Sequence, residues 1–145
     1  MTTIERSALV PYSAEQMFRL VDDIENYPAF MQGCLKARVI ERSEDEVVGE
    51  LTLGKAGITQ SFTTRNRLDP PHAMEMALVE GPFSDFSALW TFDPLSDSAC
   101  KVSLRMHFRF SGGLMGLALN KLFNHSANAL VDDIVAQAGR LYGDD

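Results

Sequence analysis

A chain of 145 residues that is 46% hydrophobic and 23% charged has the size and composition of one globular domain, spanning residues 1–145. Its formal net charge of −7 opposes binding to naked nucleic acid, DNA included, because affinity for such a polyanion rests on neutralising phosphates, but leaves room for a local basic patch. No run of eighteen apolar residues occurs, the N-terminus lacks the basic flank and apolar core of a signal peptide, and Cys34 and Cys100 have no CxxC spacing; the expectation is a reduced, cytoplasmic protein.

Thr3–Val10 alternates weakly, with Ile4, Ala8 and Val10 on one face, and reads as a first strand. Ser13 with Gln16 three residues on is a capping box, and Met17, Phe18, Leu20, Val21 and Ile24 supply one apolar helix face. Tyr27-Pro28 stops that helix, because a residue before proline avoids the helical region. A second helical turn is expected over Pro28–Gly33. The period then changes to two. Strands are expected over Leu35–Ile40, Val47–Leu53, Ile58–Leu68, Met74–Leu78 and Phe86–Phe92. Between them lie the turns Glu41–Glu46, Gly54–Gly57, Asp69–Pro71, Gly81-Pro82-Phe83 and Asp93–Asp97. The clearest strand follows: Val102, Leu104, Met106, Phe108 and Phe110 face one way, Lys101, Ser103, Arg105, His107 and Arg109 the other.

After Gly112-Gly113, apolar residues recur at helical spacing: Met115, Ala118, Leu119, Leu122, Phe123, Ala127, Leu130, Ile134, Ala138 and Leu141. A helix over Leu114–Tyr142 is about 43 Å long, in a domain only about 40 Å across. Gly143 is its expected left-handed stop. The fold class is therefore α+β: an antiparallel meander of about seven strands, one face wet, the other curled around a long C-terminal helix, with two short helices after strand one.

Catalytic signals are sparse. There is no Gly-rich phosphate loop, HExxH or GxSxG, and His72, His107 and His125 share no ligand spacing. No catalytic residue and no metal site is assigned. Asp132-Asp133 reads as a solvated helix patch, and the cysteines as ordinary thiols. The apolar inventory is richer. Phe62, Met74, Met76, Phe86, Trp90, Phe92, Met106, Phe108 and Phe110 fall on the inner face, where they either fill a core or line an apolar ligand site. Phe83, in a turn, and Phe30 and Met31, in another loop, either guard a pocket mouth or fold back onto the core. Lys101, Arg105 and Arg109, with Arg65 and Arg67 on another strand, form a solvated face or a docking patch for an acidic partner.

These pieces, in order, resemble the START-like superfamily. The carriers are Ala8-Leu9-Val10-Pro11-Tyr12-Ser13-Ala14-Glu15-Gln16-Met17, Tyr27-Pro28-Ala29-Phe30 with Gly33-Cys34, Lys55-Ala56-Gly57-Ile58, Phe62-Thr63-Thr64-Arg65-Asn66, Gly81-Pro82-Phe83, Trp90-Thr91-Phe92 with Pro94-Leu95, and Cys100. More narrowly, the chain looks like the branch holding coenzyme-Q-binding proteins and the bacterial ribosome-association toxin, labelled polyketide cyclase/dehydrase. The family's usual proline after the Tyr-Pro segment is replaced by Gln32.

The resemblance implies a helix-grip fold with a tunnel and no resident cofactor. Its first functional expectation is a non-catalytic carrier of a polyprenyl quinone such as ubiquinone, supporting respiratory electron transport with peripheral contact to the inner membrane. The implied ligand-binding residues are Phe30, Met31, Phe62, Arg65, Met76, Phe83, Trp90, Met106, Phe108, Leu119 and Phe123, with Arg65 or Asn66 at the quinone head group. The alternative is a regulator that binds the large ribosomal subunit and blocks subunit association. A polyketide cyclase-type enzyme ranks below both.

Overall fold

The computed structural model of the chain describes residues 2–55 and 57–143, without the side chains of Leu114 and Met115. Ala56 of the expected Gly54–Gly57 turn and the side chain of Met115 in the expected helix stripe thus lie outside the described residues. The elements are β1 (Thr2–Val10), α1 (Ala14–Asp22), a 3-10 helix (Ile24–Ala29), β2 (Cys34–Arg42), β3 (Glu46–Lys55), β4 (Ile58–Asp69), β5 (Ala73–Glu80), β6 (Phe83–Ser96), β7 (Ala99–Phe110) and α2 (Leu114–Tyr142). The seven strands form one antiparallel sheet in the order β1-β7-β6-β5-β4-β3-β2, so β1 and β2 are its edges. Consecutive strands from β2 to β7 are neighbours, as short links require.

The capping box starts α1 as expected. Ser13 Oγ accepts from the Gln16 N–H at 3.1 Å, and Gln16 Oε1 accepts from the Ser13 N–H at 2.9 Å. The helix nevertheless ends at Asp22, and the second helical piece runs over Ile24–Ala29 rather than Pro28–Gly33. The Asp23 carboxylate accepts a hydrogen bond from the Asn26 side chain, a local bond that competes with continuing the helix. Met17 and Val21 carry the apolar face of α1 onto the sheet, and Phe18 meets Phe92 edge-on at 5.5 Å.

Strand β6 is longer at both ends than its sequence pattern suggests. Phe83 is not a turn residue: it opens β6, pairs with Phe110 and is buried. At the far end, Asp93–Ser96 continue the strand and only Asp97-Ser98 turn. Pro94 is tolerated there because β5 pairs with β6 only as far as Thr91, leaving that rail of β6 without a ladder to break.

Helix α2 lies across the inner face against β1, β7, β3 and β4. Leu119, Leu122, Phe123, Ala127, Leu130, Val131, Ile134 and Ala138 are buried beneath it, each large aliphatic contributing roughly 1.5–3 kcal/mol. Leu141, expected in that stripe, is exposed instead, because α2 has by then reached its last turn. Gly143 ends the helix with φ 67°, and its N–H bonds to Gly139 O at 3.0 Å.

Candidate functional site

The inner face of the sheet and the first half of α2 enclose a phenylalanine cluster. Phe62 of β4, Phe83 and Phe86 of β6, Phe108 and Phe110 of β7, and Phe123 of α2 meet ring to ring. Phe83 stacks on Phe110 at 4.3 Å, while Phe123 sits edge-on to Phe108 at 4.7 Å, to Phe83 at 5.2 Å and to Phe62 at 5.4 Å. Alternation brings Phe62, Phe86, Phe108 and Phe110 to one face, a β-bulge between Phe83 and Asp85 turns Phe83 to the same side, and the α2 period delivers the sixth. The space left among them is about 10 Å³, lined by Leu53, Gln60, Phe62, Phe83, Phe110, Leu119, Leu122 and Phe123. That holds about one water-sized probe. The rings fill the tunnel that the resemblance implies.

The expected site residues separate into three groups. Phe62, Phe83, Phe108, Leu119 and Phe123 converge on the cluster. Met106 and Trp90 are buried on the same face but elsewhere: Trp90 lies parallel to Phe92, 6.2 Å away, on the α1 side, and Met76 is half-buried against the core. Phe30 and Met31 lie beyond the 3-10 helix, where Phe30 packs edge-on to Tyr27 at 5.4 Å and Met31 is buried, so Met31 is no open mouth.

Arg65 is a correction. It points outward and pairs with Glu46 at 2.6 Å, because Arg65, Arg67 and Asp69 take the solvent side of β4 while Thr64, Asn66 and Leu68 take the core side. Its neighbour Asn66 points inward and accepts from Thr64 Oγ1 at 2.9 Å. Leu53 and Gln60 were missed by the sequence reading. The signal that finds them is hairpin register, since the two are direct partners across β3 and β4.

A second correction concerns Asp133, which is buried rather than solvated. One carboxylate oxygen accepts the Gln32 backbone N–H at 2.9 Å, and the other accepts the Gln32 side-chain amide at 3.3 Å. Gln32 stands where the family resemblance expects proline, and a proline has no N–H to give. Next to it, Gly33 adopts φ 81° against the fully buried Ser126. A Cβ at Gly33 would lie 2.6 Å from Ser126 Oγ, so conformation and space both require glycine.

The titratable groups near the core do not resemble catalytic ones. Burial pushes the Cys34 and Cys100 thiols up to about 11, so both stay protonated near neutrality and are poor nucleophiles. Burial, assisted by the Asp22 charge, raises the Tyr27 phenol far above its ordinary value, and its hydroxyl donates to Val21 O at 2.5 Å. Among the described residues no three His, Cys, Asp or Glu side chains gather as a metal site. No described helix is long and apolar enough to cross a membrane.

A family profile described as polyketide cyclase / dehydrase and lipid transport matches residues 10–135. The chain belongs to this family. Over 144 residues it is 44% identical to the ribosome association toxin RatA of Vibrio cholerae, covering 99% of this chain and all of that protein. It is 26% identical to the mitochondrial coenzyme Q-binding protein COQ10 homolog B of Xenopus laevis, covering 94% of this chain and 58% of that protein. Among solved structures, the Zhui aromatase/cyclase of Streptomyces sp. R1128 superposes with a TM-score of 0.82 at 19% identity, covering 96% of this chain and 94% of that one. At that identity the likeness concerns the fold, the START-like helix grip.

Proposed function

We propose that this protein is a cytoplasmic regulator of ribosome assembly that binds the large ribosomal subunit and blocks its association with the small one, without catalysing a reaction. The observation that carries the reading is the match to a ribosome association toxin at 44% identity along the whole of both chains. The interior supports it. Rings occupy the grip down to about 10 Å³, and the buried thiols are held protonated. This reverses the order expected from sequence, in which quinone carriage came first.

A quinone carrier remains the second reading, favoured by the match to a coenzyme Q-binding protein and by the wholly apolar ring cluster. An isoprenoid tail would gain about 0.8 kcal/mol per buried CH₂, but the rings around Phe123 would first have to part. Cosedimentation separates the two. Purified protein mixed with isolated subunits is expected to travel with the large subunit and not the small one. Protein left at the top of the gradient at every ratio would sink the ribosome reading. A stoichiometric quinone in an organic extract of the same preparation would make the carrier reading primary.

A further inference from the structure

We propose that the open edge formed by β1, β7 and α2 is the surface that meets the ribosome, and that it meets the phosphate backbone of RNA. The inference rests on the ribosome reading above and specifies the contact.

Charge is segregated by element. Across β1, β7 and α2 the chain carries six Lys or Arg (Arg6, Lys101, Arg105, Arg109, Lys121, Arg140) against three carboxylates (Glu5, Asp132, Asp133), a net +3. The whole chain is −7, so everything else carries −10. One of the three carboxylates, Asp133, is buried against Gln32 and does not face the edge.

Among the described residues, one of the six cations on this edge is ion-paired, against three of the seven elsewhere. Toward the opposite edge, Arg38 pairs with Glu50 at 2.8 Å, Arg42 with Asp22 at 2.9 Å and Arg65 with Glu46 at 2.6 Å. Among the six, only Arg105 has an ion pair among the described residues, a long one of 3.4 Å to Glu5 with both partners exposed. Asp85 and Asp93 stand opposite Arg109 and Lys101 in the β6–β7 register, yet no ion pair forms at either place. Lys101, Arg105 and Arg109 recur every fourth residue on the outer face of β7, so the row runs about 26 Å at roughly 3.3 Å per residue. A row that long suits an extended polyanion better than a single phosphate or carboxylate.

The seam beside that row supplies uncharged hydrogen-bonding groups. Asn120, Asn124 and Asn128 recur every fourth residue along α2, and Asn128 Oδ1 accepts from Arg6 at 2.7 Å. Asn120 shares a groove of about 220 Å³ with Thr2, Arg109, Gly113 and Leu117. As an edge strand, β1 keeps one rail of backbone groups without a strand partner. Among the described side chains, the exposed residues on these three elements include no Phe, Tyr or Trp and a single imidazole, His125, so bases find little to stack on. Recognition here is of phosphate and sugar, independent of base sequence.

The test uses the full chain and two probes: intact large subunits, and phenol-extracted RNA from those subunits. Wild type is expected to bind the extracted RNA with a slope of roughly −2 to −4.5 in log K against log salt, for about three to five neutralised phosphates. The triple variant Lys101→Glu, Arg109→Glu, Lys121→Glu should lose affinity by roughly tenfold or more. The milder triple Lys101→Gln, Arg109→Gln, Lys121→Gln should flatten the slope, while Arg65→Glu with Arg67→Glu on the other row should bind like wild type. Equal RNA affinity in wild type and both triple variants would overturn the proposal. So would wild type that binds intact subunits but not the extracted RNA, which would place a ribosomal protein at the contact and leave the ribosome reading standing. Wild type that binds neither probe would end both.

Discussion

At its C-terminal end α2 is fastened by directional bonds. Asp133 accepts from Gln32, Tyr142 Oη donates to Gln16 O at 3.2 Å, and Tyr12 Oη donates to Gly143 O at 2.6 Å. At its N-terminal end the same helix meets the sheet through Leu119, Leu122 and Phe123, and Gly113 supplies no side-chain cap. Among the described residues, every side-chain hydrogen bond from α2 to another element falls at or after Asn128. Hydrogen bonds fix where a helix sits and how it is rotated. Ring contacts stabilise through dispersion and accept either edge-to-face or offset-stacked packing, so they constrain position less tightly. The grip is thus specified at one end and merely filled at the other, and any apolar guest would have to enter where the rings are.

The largest test of that contrast is Phe123→Ala. Removing the central ring should destabilise the fold by about 3–5 kcal/mol in urea titration. The cavity it leaves should bind benzene, raising the melting temperature of the variant but not of wild type. A loss under about 1 kcal/mol would mean that the rings do not hold this end. At the fastened end, Asp133→Ala should cost about 0.5–1.5 kcal/mol by removing the acceptor of the Gln32 N–H, which water can then reach. It should also speed hydrogen exchange at that amide. Tyr12→Phe should cost a similar amount, about 0.5–1.5 kcal/mol, and loosen only the last turn of α2.

The smallest effect is alkaline. Each buried thiol titrates at about 11 when folded and at 9.0 when unfolded, so the folded state holds its protons longer. Stability should be flat below pH 9 on this account and fall as pH climbs toward about 11, with the Tyr27 phenol acting in the same direction. Thiol labelling of the native protein should be slow at pH 8 and become fast in denaturant.

Much of this architecture was legible in local sequence. The alternation from Lys101 to Phe110, the Ser13–Gln16 capping box and the Gly143 stop each depend on residues a few positions apart, and each appears where expected. The features that sequence hid depend on distant partners. Phe83 follows a Gly-Pro turn and looks like a loop residue until Phe110, 27 positions away, pairs with it. Asp133 looks like one of two solvated helix acids until Gln32, 101 positions away, supplies two donors. Arg65 and Asn66 are adjacent, and only strand register decides that Asn66 is the inward one. The aromatic inventory of the site was plain from composition; that the rings close on one another rather than around a tunnel is a packing fact.

The central claim is that this protein keeps ribosomal subunits apart, and light scattering of purified subunits during magnesium-driven association measures that directly. The account predicts a dose-dependent loss of the association signal that saturates when the protein matches the large subunit in amount. Full association at large excess of protein would contradict it.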